Sequence, residues 1–478
     1  MVCLLTGLTS SALAAESAAD DAPPTFSVAQ IQGDFDFLYQ GLKSANFDLY
    51  AFTPPRNFEN HYREYRKKFT KPMTRFDAEM AFQPFVALAH QSHTRVESDY
   101  SGYFAYRQAG GAGFPLGIAV ENNQMIVTTN SSGISEIKPG DRITAINGHK
   151  ASDLLPRLIE HISAETTEFA YVLLETYMPL VAWLELGSTD AYTVSIRHTG
   201  GTSENYKIST PSEEDSTGQQ PFSLAGRDAR MLTANIAYLR PGPFHNTEAG
   251  ADSMDTTAFV QFIDTSFGTF IENGATRLIL DLRDNPGGDN SFSDPVIAWF
   301  ADRPFRFSAN FRVRVSPQST AANQARLEAN PDNTESTSYL YAKLYASSEN
   351  GEIVLFTIPE TKPRPGQAFE GEVFVLVNRY SFSNAVSAAA LIQDYDFGVI
   401  MGEQTVDMAT TYGAMEKFTL PETGIVVAYP KALIVRSNGD DKVGPIIPDV
   451  TLPAPRIRGA NDVMLQAALK HMESKAPD

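Results

Sequence analysis

The chain has 478 residues, 42% hydrophobic and 20% charged, which is a globular composition with apolar material for roughly two to four domains. Its 38 Lys and Arg against 57 Asp and Glu give a net charge of −19, and no Lys/Arg-rich run occurs, so nucleic acid and anionic membrane surfaces are disfavoured as partners. Cys3 is the single cysteine, which removes disulfides, thiol nucleophiles and cysteine–metal sites from residues 4–478.

The opening MVCLLTGLTSSALAAESAADDAPP is apolar and carries the small-x-small pattern Ala12-Leu13-Ala14, which predicts a signal peptide over residues 1–15 and a periplasmic or extracellular protein. Residues 16–110 read as a helical N-terminal domain: in DFDFLYQGLKSANFDLYAF and MTRFDAEMAFQPFVALAHQ, apolar positions recur at three- and four-residue steps, with Pro54-Pro55 between them. Residues 111–165 change to short β-like runs (LGIAV, QMIVTT, IKPGDRITAINGHKA). Residues 166–230 read as a linking segment, first helical and unusually apolar (FAYVLLETYMPLVAWLEL), then a polar loop from Thr199 to Ser223. No segment after the N-terminal run reaches the ~20 uninterrupted apolar residues of a membrane span.

From 231 to 458 strand and helix alternate. NIAYLRPGPF is a strand, TTAFVQFIDTSFGTFIENG a helix and RLILDLR a buried strand; SDPVIAWFA is a helix, followed by a polar insertion over Gln318–Gly351. EVFVLVNR, NAVSAAALIQDY and GVIMGEQ then continue as strand, helix and strand. This order implies crossover connections and a largely parallel sheet covered by helices, with ligands beyond the carboxyl ends of the strands. Residues 459–478 read as a C-terminal helix or tail.

Three elements could carry chemistry. The loop Asp281–Gly288 ends in a glycine pair, which can present bare N–H groups to an oxyanion or phosphate, or can simply end the strand. The loop Asn378–Ala385 places Ser381 and Ser383 at a strand-to-helix junction, where a serine is either an exposed nucleophile near a helix N-terminus or a helix cap. It is not a G-x-S-x-G elbow and gives no support to an α/β-hydrolase. Ala89-His90-Gln-Ser92-His93-Thr94 closes the helical region; His90-x-x-His93 lacks the HExxH pattern and a third ligand, so no metal is expected.

RLILDLRDNPGGDN followed by EVFVLVNRYSFSNAVSAAALIQDYDFGVIMGEQT, and closed by GPIIPDV, resembles the C-terminal processing (tail-specific) and tricorn-type serine peptidases. The resemblance covers residues 230–452 and implies an α/β multi-domain protein. Its parts would be a helical N-terminal region, a small β-rich PDZ-like module and an α/β (ClpP/crotonase-like) catalytic domain with a largely parallel sheet. It implies Ser383 as nucleophile and the backbone N–H groups of Gly288 and Asn384 as the oxyanion hole. Residues 114–155 are similar to a PDZ module, with PLGIAV as the strand that would hold a peptide carboxylate.

Processing-type members follow their GExT with a lysine base. Met408 stands at that position, and a thioether cannot serve as one. Tricorn-type members use a histidine in a Ser-His step, similar to Ser92-His93, with a downstream acid that would fall on Asp441, or on Asp440. An ordinary imidazole pKa near 6.5 suits proton transfer at neutral pH. Lys417, in AMEKFTL, reads as a surface residue. The expectation is therefore an exported serine endopeptidase acting on peptides or unfolded proteins without metal or organic cofactor; the alternative is a non-catalytic peptide-binding protein.

Overall fold

The computed structural model describes residues 24–474 apart from 99, 210–225, 249, 330, 332–333 and 335. The expected signal peptide and most of the Thr199–Ser223 loop lie outside the described residues.

The alternating region builds a sheet in the order Asp228–Met231, Ile236–Arg240, Arg277–Asp281, Glu372–Val377, Val399–Gly402, Val450–Thr451. Its first pair is antiparallel and the rest are parallel. The near-continuous apolar strands follow from burial on both faces. Leu278 and Leu280, with Val373, Val375 and Val377, point into a core shared with the helices Thr257–Glu272, Asn290–Ile297 and Asn384–Asp394. Ile279, Phe374 and Leu376 point to the opposite face, covered by Met464, Ala468 and Met472 of the C-terminal helix Val463–Ser474. The two-residue strand period sorts alternate side chains to the two layers.

A second, antiparallel sheet runs Ile353–Phe356, Asn310–Arg314, Val426–Val435, Met408–Thr419, Gly444–Pro445, and was not expected from the alternating pattern. Arg95–Glu97 joins it by pairing with Val426–Ala428. The N-terminal helices Val28–Ala45, Pro55–Lys68 and Arg75–Ala87 then pack Phe35, Leu38, Tyr39, Phe58, Phe82 and Phe85 into one core with Phe418, Leu420, Ile425, Val427 and Tyr429 of this sheet. The described N-terminal helices therefore bury their aromatic faces against this second sheet rather than against one another alone. The polar insertion Gln318–Gly351 also differs from a plain loop and folds into two helices, Pro317–Ala329 and Thr337–Ala346.

The third sheet has the order Leu116–Glu121, Gln124–Asn130, Arg142–Ile146, Tyr192–Arg197, Ser203–Ile208, with His149–Lys150 on Arg142–Ile146. Because Arg142–Ile146 pairs with Tyr192–Arg197, and that strand with Ser203–Ile208, this sheet takes in strands beyond residue 165. The apolar segment expected as a link is its core helix, Thr167–Leu186, which buries Phe169, Val172, Leu174, Met178, Val181 and Ala182. By length and hydropathy alone this helix could cross a membrane, but it carries a buried Glu175 whose carboxylate accepts the Val120 amide at 2.7 Å.

Candidate active site

Four parallel strands end side by side, and the loops leaving them converge. Ile236–Arg240 leads to Phe244, Arg277–Asp281 to the glycine pair, Glu372–Val377 to Ser381 and Ser383, and Val399–Gly402 to Asp407. The loops are stitched to one another. The Ser381 hydroxyl donates to the Leu282 carbonyl at 2.8 Å, and the Phe382 amide donates to the Asn285 carbonyl at 2.9 Å. The Asn285 side chain donates to the Gly242 carbonyl at 2.8 Å, and Asn378 and Asp284 exchange two hydrogen bonds. Asp281 anchors the base of this assembly. Burial alone would raise its pKa, but Arg283 and Arg240 hold it at about 2, with the Tyr238 hydroxyl donating at 2.6 Å.

Ser383 is the residue before the helix Asn384–Asp394, with φ 49° and ψ −124°. Its hydroxyl makes no capping hydrogen bond, which sets aside the helix-cap reading. The fully buried Ser381, by contrast, is a structural pin. Gly287 and Gly288 have φ of 83° and 142° and lie against this turn; a Cβ on Gly287 would sit 2.6 Å from the Phe382 carbonyl oxygen and 2.7 Å from the Asn384 nitrogen. A Cβ on Gly288 would sit 1.9 Å from the Phe244 carbonyl oxygen. Only glycine fits at either place. The Gly287 amide is used by Asn285 at 2.9 Å, whereas among the described residues the Gly288 and Asn384 amides have no protein acceptor.

Around this turn lies a set of ionisable groups that the sequence reading only partly anticipated. Ser92 and His93 are adjacent as expected, with Ser92 Oγ 3.3 Å from His93 Nδ1. The His93 ring is also hydrogen-bonded to the Tyr412 backbone, and burial, with Arg95 adding to it, lowers its pKa to about 4. It is therefore a neutral imidazole across the neutral range. Ser92 donates through both its amide and its hydroxyl to Glu165 Oε1, each at 3.0 Å. Glu165 is buried, and desolvation together with the charge of Asp407 pushes its pKa up to about 8. Asp407, also buried, accepts the Ser383 amide at 2.5 Å and the Met408 amide at 2.7 Å; desolvation raises it to about 6.

The expected orienting acid is corrected. Asp441 is exposed and pairs with Arg312 at 3.4 Å, and the Asp440 side chain accepts the Lys442 amide on the surface at 3.1 Å. Among the described residues neither is hydrogen-bonded to His93, and the carboxyl to which Ser92 donates is that of Glu165. Lys417 pairs with Glu97 at 2.7 Å and is half-exposed, as expected of a surface residue. His90 is exposed, and among the described residues no group of His, Cys, Asp and Glu could hold a metal. Among the described residues no hydrogen bond joins His93 to Ser383; the two are linked through the Ser92–Glu165–Asp407 cluster. His245, whose ring is hydrogen-bonded to the Gly287 backbone, was missed because eight histidines carry no spacing signal that singles it out. Glu165 was missed because it is the last residue of the segment read as the small β-rich module and stands in no motif, and Asp407 because it adjoins Met408, the position that the lysine pattern singles out.

The profile of peptidase family S41 matches residues 235–452. Among solved structures, the fold is similar to mature CPAF complexed with lactacystin, at 15% identity and a TM-score of 0.62 over 94% of this chain and 97% of that one. It is similar also to mature CPAF alone, at 15% identity and a TM-score of 0.61 over 93% and 96%. A putative peptidase from Parabacteroides merdae matches at 15% identity and a TM-score of 0.51 over 94% and 98%. By sequence, no curated protein matches. At these identities the structural likeness is one of fold, and the family profile carries the assignment. Residues 235–452 match peptidase family S41, and this region of the chain is a serine peptidase domain of that family.

Proposed function

We propose that the protein is an endopeptidase that cleaves peptides or unfolded proteins through an acyl-enzyme on Ser383, with His93 as general base. The observation that carries this reading is Ser383 itself, held at positive φ with an uncapped hydroxyl against the Gly287 turn, while among the described residues the Gly288 and Asn384 amides have no protein acceptor. Ser383 Oγ attacks the scissile carbonyl carbon and its proton passes to His93. The amides of Gly288 and Asn384 donate to the oxyanion as the tetrahedral intermediate forms. Collapse breaks the C–N bond, His93 returns the proton to the leaving amine, and water then hydrolyses the ester by the same steps. Because Ser92 Oγ donates to Glu165, its lone pair faces His93 Nδ1. In substrate-free enzymes the nucleophile–base hydrogen bond is often long and closes on binding.

The PDZ-like resemblance of residues 114–155 belongs to this proposal with a changed role. Leu116–Glu121 is an edge strand, the place where an added peptide would pair, but its Val120 amide is already held by Glu175. The other Glu175 oxygen accepts the Tyr380 hydroxyl at 2.7 Å, and Phe169 stacks on Phe382 at 5.6 Å. These contacts support a module that braces the nucleophile loop. Export is part of the proposal: N-terminal sequencing of the native protein should begin near Ala15, and recovery of Met1 would contradict it.

The test is hydrolysis of an unfolded protein such as reduced casein. Wild type should cleave it, and Ser383→Ala should not. His93→Ala should lose on the order of 10³-fold in kcat/KM, as removal of a triad base does. Binding without hydrolysis by wild type would return the chain to a non-catalytic peptide-binding role.

A further inference from the structure

We propose that Asp407 is a positioning residue that holds the nucleophile in its reactive turn, a role that rests on Ser383 being the nucleophile. A serine at φ 49° needs a partner that keeps it there, because the left-handed backbone is strained for a residue with a side chain. Asp407 is that partner, since one carboxylate oxygen accepts the Ser383 amide and the other the Met408 amide. The Asp407 backbone is itself fixed. Its carbonyl accepts the Thr405 hydroxyl at 2.9 Å, and that hydroxyl in turn accepts the Ile446 amide at 3.0 Å from the closing segment. The carboxylate is 3% exposed, and among the described residues no lysine or arginine pairs with it. The ionisable group facing it is Glu165, from the segment before the helix Thr167–Leu186, which in turn holds Ser92 beside His93.

The position beside the absent lysine thus carries a carboxylate that grips the backbone of the nucleophile without touching its hydroxyl. The two amides of the oxyanion hole remain unoccupied, because Asp407 takes the Ser383 amide and leaves that of Asn384. Protonating Asp407 converts one acceptor oxygen into a donor and removes one of the two amide bonds. Raised by burial to about 6, this titration falls where the neutral His93, held at about 4, does not titrate. Glu165 titrates on the alkaline side, so the acid limb belongs to Asp407.

The experiment is the pH dependence of kcat and KM for the full chain carrying Asp407→Asn or Asp407→Glu, alongside the rate of fluorophosphonate labelling. Asparagine keeps the shape but turns an N–H toward an N–H. It should lower kcat by about 10- to 100-fold, the scale of a misplaced reacting group, with KM within about twofold. The wild-type acid limb near pH 6 should move at least one unit lower in Asp407→Asn and remain in Asp407→Glu, with part of kcat restored. An unchanged kcat with an unmoved limb overturns the proposal, and so does a wild-type profile that is flat from pH 5 to 8. Failure of both variants to fold also overturns it, because Asp407 is then a structural residue. Fluorophosphonate labelling at a residue other than Ser383 instead defeats the nucleophile assignment on which the proposal rests.

Discussion

Ser381 and Ser383 are two residues apart, yet their hydroxyls meet different surroundings. Ser381 donates to Leu282 and accepts the Asn378 amide at 3.1 Å, so Ser381→Ala leaves two buried backbone groups short of a partner. It should cost about 1–3 kcal/mol in denaturant unfolding while keeping most of the turnover of the remaining folded enzyme. Ser383→Ala removes a hydroxyl with no structural bond and should leave Tm within about a degree or two of wild type, with no turnover. Equal losses of activity in the two variants would contradict the assignment. Gly287→Ala tests the other wall. Its Cβ would press on Phe382 and Asn384, so kcat should fall by about 10²-fold or more even where the chain still folds. Glu165 has a pKa raised from 4.5 to about 8, so the native state binds the proton more tightly than the unfolded chain. Its contribution to stability is present below pH 4.5 and is lost as pH rises toward 8. Glu165→Gln, a permanent neutral mimic, should lose less Tm than wild type between pH 6 and 9; parallel curves would show that Glu165 is already ionised.

At the scale of elements, the strand Arg277–Asp281 is legible from its apolar run, while the network at its end is not. Asp281 read as part of a loop; the structure makes it the buried centre of Tyr238, Arg240 and Arg283, with Arg283 reaching Asp462 at 2.7 Å before the C-terminal helix. Tyr238 and Arg240 come from the neighbouring strand and Asp462 from the segment before the C-terminal helix, so these partners meet only after the sheet has formed and no local pattern could announce them. Asp281→Asn leaves the buried Arg283 and the partly buried Arg240 without their shared anion and should cost about 3 kcal/mol in urea unfolding. A loss below about 1 kcal/mol would mean that Asp462 alone compensates Arg283. The helix Thr167–Leu186 gives the same lesson. Its apolar run is visible, but that it completes the small module, and that Glu175 joins it to Val120 and Tyr380, depends on strand pairings 50 residues apart in the chain.

Over the whole molecule, the parallel sheet and the two functional loops were readable because each is a contiguous run with a period and a motif. The joining of the N-terminal helices to the catalytic domain was not, because Arg95–Glu97 pairs with a strand more than 300 residues later. That pairing follows His93 by two residues, and so the fold delivers the proposed base to a domain whose nucleophile lies far along the chain. The Ser-His step was visible in the sequence as a resemblance, whereas the carboxyl that meets Ser92 is Glu165 and not Asp441, because burial and not spacing decides which carboxyl can hold Ser92. The central claim is that Ser383 attacks with the help of His93. Its most direct test is peptide mapping after fluorophosphonate treatment of wild type, His93→Ala and Lys417→Ala under identical conditions. The adduct should lie on the peptide containing Ser383, form at the wild-type rate in Lys417→Ala, and slow by about 10²-fold or more in His93→Ala. An adduct elsewhere, or an undiminished rate in His93→Ala, would contradict the account.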